Sequence, residues 1–338
     1  MEAYRVGILN DDVIPPGQSG WPFHRPNLNE GYAQLMSRAR GRGLPILLVN
    51  DQDYQAGFAR RGWVHDGHRW VGLGDVPLAA AYDQFPSTQE QGRWKVADLQ
   101  SRGLKLCNDP RLTLMVDDKL LTWINFPDLV PFTYYFRAGQ DDPRQAVEAF
   151  LQGCQAHGFG EIDAFVAKPQ TGWAARNLFK FSQENLGELY QLPHEEFVFQ
   201  PFLESRHGIP EVGVRGRHDF RIVLANGRFV AGMVRQPARH EWAANYFDPD
   251  ELIFFDRAED VPQDLLAAAY RADRTFGEFY PRMVSYDLAR VEGRVVCWEM
   301  NSRPGICADS LRPEDQRNAA ALQESILDCM EIMVGWRA

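Results

Sequence analysis

The stretch VSYDLARVEGRVVCWEMNSRPG, residues 284–305, reads as two strand-like runs joined at Glu292-Gly293, with Asp287 in the first run and Glu299 and Asn301 in the second. Residues two apart on a strand share a face, so Glu299 and Asn301 point one way and Trp298 and Met300 into the other layer. A three-residue connection, Glu292 to Arg294 with Gly293 left-handed, sets Asp287 directly opposite Glu299. Three hard oxygen-bearing side chains then converge. Such a set suits magnesium, which takes a few carboxylate or amide oxygens and fills its other octahedral positions with water and phosphate. Spacing alone also fits a solvated polar face at a hairpin edge. The turn Asn301-Ser302-Arg303-Pro304-Gly305 favours the metal reading, because it exposes backbone amides beside the acids.

A second strand pair lies upstream, Asp219 to Leu224 with Arg228 to Arg235 around Asn226-Gly227. A three-residue loop around Gly227 sets Asp219 opposite Arg235, with Arg221 one step along the same face. Planar guanidinium forks suit a place where phosphate and carboxylate oxygens exchange charge. Between the two pairs, Gln263 to Tyr280 reads as a helix, and Glu314 to Gly335 as the last one. Glu196 to Phe202 and Phe165 to Lys168 are short strands. Asp142-Pro143 opens an amphipathic helix that Gly158 closes. At the other end, Tyr4 to Leu9 is a first strand followed by the Pro/Gly-rich loop 10–26. Asn29 caps a helix to about Arg40, and Pro45 to Asn50 is the next strand, a βαβ start that implies a small parallel sheet. Tyr54 to Trp94 carries no clear period. Leu104 to Cys107 closes this part, and Asn108-Asp109-Pro110 is a turn at its boundary.

Bulk properties narrow the class. The chain has 338 residues, 45% of them hydrophobic and 24% charged, enough for two or three subdomains with their own cores. A net charge of -10 repels a phosphate backbone, so no nucleic-acid partner is expected. No apolar run is long enough to span a membrane and the N-terminus lacks the plan of a signal peptide, which implies a cytoplasmic protein. Five scattered cysteines, Cys107, Cys154, Cys297, Cys307 and Cys329, show no metal spacing and read as packed thiols.

Asp287 to Gly305 resembles the D…E-x-N-x-x-P-G signature of the ATP-grasp superfamily. Four further segments resemble it in order: Asp118-Lys119 with Val130-Pro131-Phe132-Thr133, Ala167-Lys168-Pro169, Phe197 to Glu204, and Asp219-Phe220-Arg221 with Arg235-Gln236. The last matches the glutathione-synthetase-like and ribosomal-protein glutamate-ligase-like branch. The resemblance covers roughly Asn108 to Ile306. It implies an α+β fold of three parts: an N-terminal α/β domain (1–107), a central subdomain (108–195) and a C-terminal antiparallel-sheet subdomain (196–338). ATP would lie between the last two.

By the same resemblance Asp287, Glu299 and Asn301 hold Mg²⁺, while Lys119 and Lys168 meet the phosphates. Gln200, Phe202 and Leu203 hold adenine, with main-chain hydrogen bonds near 202 and 203, and Asp219 completes the nucleotide-binding set. Arg221 and Arg235 are the catalytic pair. The implied activity is that of an ADP-forming carbon–nitrogen ligase, joining a small-molecule carboxylate and an amine, an amino acid or short peptide, through an acyl phosphate. Homodimers are frequent in families of this kind. Two alternatives stay open, a nucleotide-binding regulatory protein without turnover and a phosphotransferase on the same scaffold. The phosphate-covering loop departs from the glycine-rich pattern, reading QTGWAARN over 170–177, with Trp173 a candidate either to shield the acyl phosphate or to contact the substrate. His24, Arg25 and Arg303 are candidates to receive a second carboxylate.

Overall fold

Four consecutive buried residues, Val6 to Leu9, give the first strand two covered faces, the mark of a strand inside a parallel sheet. In the computed structural model, which describes residues 6–86, 90–172, 177–182, 184–193, 195–237, 249–308 and 312–335, this strand is β1 (Val6–Asn10). α1 (Pro26–Gly41) follows, starting earlier than the sequence implies. Pro26 has a φ ready for a first helical turn. Asn29 is therefore not the cap: it lies inside the helix, where its side chain bonds the N–H and C=O of Phe23 at 3.0 and 2.8 Å and fastens the preceding loop.

After β2 (Ile46–Asn50), the aperiodic stretch folds as β3 (Tyr54–Gln55), β4 (Phe58–His65), β5 (Trp70–Pro77), β6 (Ala80–Gln84) and the start of α2 (Glu90–Ser101). Its period is hidden because β5, paired only with β4, is largely exposed along both faces. β7 (Lys105–Cys107) completes the sheet, in the order β3-β4-β2-β1-β6-β7. β1, β2, β6 and β7 run parallel, as the βαβ start implies.

The second sheet follows α3 (Pro110–Asp117) and α4 (Lys119–Asn125). β8 (Tyr134–Arg137), α5 (Pro143–Ala156), β9 (Ala164–Pro169), β10 (Phe179–Ser182) and β11 (Glu196–Pro201) give an antiparallel sheet ordered β10-β9-β11-β8. α5 forms as its sequence dictates: Asp142 caps the Gln145 N–H at 2.9 Å, and Ala146, Phe150 and Cys154 bury against Phe165 and Phe199.

The third sheet is built from β12 (Asp219–Ala225), β13 (Arg228–Pro237), β14 (Pro249–Phe255), then α6 (Gln263–Thr275), β15 (Met283–Val291) and β16 (Arg294–Asn301), in the antiparallel order β14-β13-β12-β15-β16. α6 stops short of Tyr280 because Gly277 and Pro281 both disfavour helix, and Phe276 and Phe279 turn into the core instead. α7 (Pro313–Met333) ends the described chain. Its Ile326, Leu327 and Met330 share one core with Val6 and Ile8 of β1 and with Val223 and Met283 of the third sheet, so α7 glues the first sheet to the third.

Asn108 performs the same joining with polar bonds. It is 2% exposed; its Nδ2 donates to the carbonyls of Met283 and Ser302 and its Oδ1 accepts from the Met283 N–H, all at 2.7 Å. Replacing it leaves buried backbone groups without partners. Asn108→Ala is expected to lose roughly 2 to 4 kcal/mol of stability, read as a lower midpoint in urea unfolding, and an unchanged midpoint contradicts the clamp.

Candidate active site

The two hairpins of the third sheet set the geometry, and both do so by one device. Asn226-Gly227 and Glu292-Gly293 are two-residue turns with positive φ at both positions (50° and 78°, 50° and 79°), the backbone that matches strand twist. The sequence reading assumed three-residue loops. Each hairpin instead adds its extra residue further along as a bulge, between Val223 and Leu224 in β12–β13 and between Asp287 and Leu288 in β15–β16. One shift in each strand pair restores the expected register: Asp219 faces Arg235 and Asp287 faces Glu299. Arg221 pairs with Asp287 across β12–β15, so Arg221, Asp287 and Glu299 form a row over three strands, and Asn301 lies two residues past Glu299, opposite Ser285.

The bulge also corrects one expectation. Trp298 is the extra residue, and it lines the cleft with Glu299, whereas Met300 is buried in the opposite layer as anticipated. The turn after Asn301 is pinned by Asp117 at the end of α3, which accepts from the Ser302 N–H and hydroxyl, each at 2.9 Å, and from Arg303. Arg303 also donates to the Phe85 carbonyl at the end of the first sheet. It therefore joins three elements and serves as a brace.

Charges on this face neutralise one another. Arg221 grips Asp287 with both ends of its fork, Nε to Oδ1 at 2.7 Å and Nη2 to Oδ2 at 2.6 Å. Arg235 reaches Asp287 Oδ2 at 2.9 Å and also bonds Asp219. Asp287 is buried, yet the two guanidinium groups hold its carboxyl down to about 2, because their attraction outweighs desolvation. Asp219 shares only Arg235, and burial pushes its carboxyl up to about 7.

The remaining cations arrive from the central part. Asp118 caps α4 by accepting from the N–H groups of Leu120 and Leu121 at 2.9 and 3.1 Å, and its other oxygen takes the Gln170 side chain at 2.7 Å. The Lys119 N–H bonds the Gln170 carbonyl at 3.0 Å. The head of α4 is thus tied to the loop leaving β9. From there Lys119 Nζ reaches the Gly172 carbonyl at 3.2 Å and Glu299 at 3.3 Å. Lys168 on β9 faces the same space, and burial, with the neighbouring Lys119 charge, lowers its ammonium to about 8, against the opposing pull of Glu299.

The residues given metal, nucleotide or catalytic roles from the sequence line one cleft of about 1090 Å³: Lys119, Lys168, Gln200, Phe202, Leu203, Asp219, Arg221, Arg235, Asp287, Glu299 and Asn301. Gln200 donates to Thr133 at 2.8 Å, while its Oε1 is buried without a partner. The Phe202 N–H already bonds the Ala164 carbonyl at 2.9 Å, so that main-chain donor is not open to a base; Phe202 also carries the Lys180 ammonium over its ring at 3.5 Å. His24 and Arg25 reach the cleft wall from the loop after β1, with Arg25 in a loose, exposed pair with Asp12 at 3.8 Å. Sequence reading missed Trp298 and the α7 residues Asp315 and Asn318, all of which line the cleft. The α7 pair had only a helical period to announce it. Trp173 lies outside the described residues.

Among the described residues no three His, Cys, Asp or Glu side chains gather as a metal site. The donors present, two carboxylates and the Asn301 carboxamide, are the partial oxygen set that magnesium completes with water and phosphate. The Asn301 Nδ2, a donor, is buried with no partner, which suits an acceptor such as a phosphate oxygen beside the metal position. Glu299 is the accessible acid, its side chain 26% exposed against 5% for Asp287. The set fits Mg²⁺. No helix among the described residues is long and apolar enough to cross a membrane.

No protein-family model and no curated protein sequence matches the chain. Solved structures do. D-cycloserine synthetase DcsG superposes with a TM-score of 0.61 at 16% identity, covering 94% of this chain and 98% of its own. D-alanyl-alanine synthetase A from Vibrio cholerae gives 0.63 at 13% identity, covering 99% of both chains. The ATP-grasp ligase PsnB, complexed with a minimal precursor, Mg and ADP, gives 0.52 at 14% identity over 96% of this chain and 98% of its own. With three sheets in this order and likeness over nearly the full length, the chain has the ATP-grasp fold.

Proposed function

We propose that the protein is an ATP-dependent ligase that activates a carboxylate as an acyl phosphate and joins it to an amine, on amino-acid or peptide substrates. What supports this most is the row Arg221, Asp287 and Glu299 facing Lys119 and Lys168 across one cleft, since it offers oxygen donors for a metal and cations for phosphate side by side. The solved structures it resembles include a D-alanyl-alanine synthetase and an ATP-grasp ligase with Mg and ADP.

In this reading Gln200, Phe202 and Leu203 surround adenine, and Lys119 and Lys168 hold the β- and γ-phosphates. Asp287, Glu299 and Asn301 hold Mg²⁺, which when bound draws negative charge from the phosphate oxygens. Arg221 and Arg235 orient the substrate carboxylate. Arg235 is the fixed member, its side chain 7% exposed between Asp219 and Asp287; Arg221, at 22%, has room to turn towards a ligand. The carboxylate oxygen attacks the γ-phosphorus and ADP leaves. An amine then attacks the carbonyl carbon, phosphate departs, and the amine's proton passes to solvent. Both guanidinium groups stabilise the oxyanion of that step. No nucleophilic side chain is required.

The defining experiment supplies ATP, magnesium and pairs of amino acids, and follows ADP, phosphate and product mass. The proposal expects ADP, phosphate and amide in equal amounts. A stable phosphoester instead identifies a phosphotransferase, and bound ATP without amine-dependent ADP release identifies a protein without turnover. Glu299→Gln keeps the shape and removes a charge. It should raise the magnesium concentration for half-maximal rate by about tenfold or more, since even outer-shell changes at metal sites cost that much; an unchanged magnesium requirement contradicts the assignment. The Lys168 charge is nearly complete about one pH unit or more below its value of about 8 and is lost as pH rises through it. ATP affinity is therefore expected to be full at lower pH and to fall above it, while Lys168→Met binds ATP weakly and without that fall. Parallel pH profiles for the two proteins assign the dependence to another group.

A further inference from the structure

Along β12 and β13 the cleft face changes character within one step. Asp219 opposes Arg235, Arg221 opposes Met233, and Val223 opposes Ala231, so two charged positions give way to apolar ones beyond Arg221. Phe254 on β14 lies opposite Met233 and carries the apolar floor to the edge of the sheet. α7 is fastened over this floor by Asn318, which donates to the Gly232 carbonyl at 3.2 Å, and its Ala319 and Leu322 line the same lobe. α1 adds Leu28. Gln323, 1% exposed, fixes these walls together: its Nε2 donates to the Gly31 carbonyl of α1 and to the Ile306 carbonyl beyond the Pro304-Gly305 turn, each at 3.1 Å.

The two polar side chains that α7 brings to the lobe are unavailable to a ligand. Asn318 Oδ1 is closed off from the cleft, and Asp315, 4% exposed, already has a partner. A charged or amide group entering here loses its water without gaining a bond, whereas an apolar one exchanges water for contact with Met233, Phe254 and Leu322. Phe254, Leu322 and Leu28 are only half-buried, which leaves apolar surface for such contact. Position supplies the rest. Directly opposed strand side chains stand roughly 5 Å apart, so a carboxylate oriented by Arg221 places the substituent on its neighbouring carbon over Met233. We infer that this lobe is the side-chain subsite of the amino acid that is activated, and that it selects an apolar side chain of the leucine or methionine kind. The inference rests on the ligase reading above and adds the substrate class to it.

Calorimetric titration of the protein with ADP and magnesium present, using leucine, its polar isostere asparagine, and alanine, tests this without turnover. Each buried methylene is worth about 0.8 kcal/mol, or roughly fourfold in affinity. Leucine should therefore bind about tenfold or more tightly than alanine, and asparagine no better than alanine. Leu322→Ala should weaken leucine several-fold and leave alanine unchanged. Ala319→Leu, which fills the lobe, should abolish the leucine preference while alanine still binds. A variant that no longer binds alanine is misfolded, and the other then decides. Equal binding of leucine and asparagine, no binding of any of the three, or a leucine preference undiminished by the substitutions overturns the inference. The ligase assay separates the two claims: a leucine preference in binding with no amide formed removes the ligase reading alone, and amide formation with no side-chain preference removes the subsite alone.

Discussion

Two carboxylates and two guanidinium groups lie on one face of an antiparallel sheet, most of them removed from water, and that is tolerable only as a complete set. Asp287 needs both arginines, and Arg235 needs both acids. The set exists only in one register, since a single-residue slip turns every side chain to the opposite face. Two Gly-containing turns and two bulges hold that register. Asp117 then fixes the turn beyond Asn301 through Ser302 and Arg303, and Asn108 locks the start of β15 to the same turn.

The same compensation shapes what the cleft accepts. Three of its acids, Asp219, Asp287 and Glu299, are each engaged by a cation, namely Arg235, Arg221 with Arg235, and Lys119. Lys168 stands in addition, lowered by burial. In the proposed chemistry a nucleotide's phosphates draw on these cations and a metal draws on the acids, so the two ligands replace internal pairs with better ones. Arg221 carries that exchange most readily, being the more accessible of the two arginines. α7 adds a different kind of control. By packing against the first and third sheets at once, it closes the far side of the cleft and contributes a wall of its own.

Legibility in the sequence followed how local the cause was. Asp142-Pro143 announced α5 because cap and first turn are read within four positions. The opposition of Asp287 and Glu299 was readable from strand period and turn chemistry, although the register came from a bulge rather than a longer loop. That difference moved Trp298 into the cleft, which alternation alone places on the other side. β3 to β5 stayed hidden because they sit at one edge of the first sheet, where exposed positions interrupt the two-residue period. The brace role of Arg303 and the place of Asn318 depend on partners far along the chain, Phe85 and Gly232, and no window of sequence contains them. The spent N–H of Phe202 is of the same kind, fixed by pairing with Ala164.

The claim on which the functional account turns is that a substrate oxygen becomes a phosphate oxygen, because the carboxylate is activated by direct attack on the γ-phosphorus beside Arg221 and Arg235. A carboxylate substrate labelled with heavy oxygen tests this in one turnover of mass spectrometry on the released phosphate. The account predicts that each phosphate formed with an amide carries one labelled oxygen. Amide formation with wholly unlabelled phosphate contradicts it.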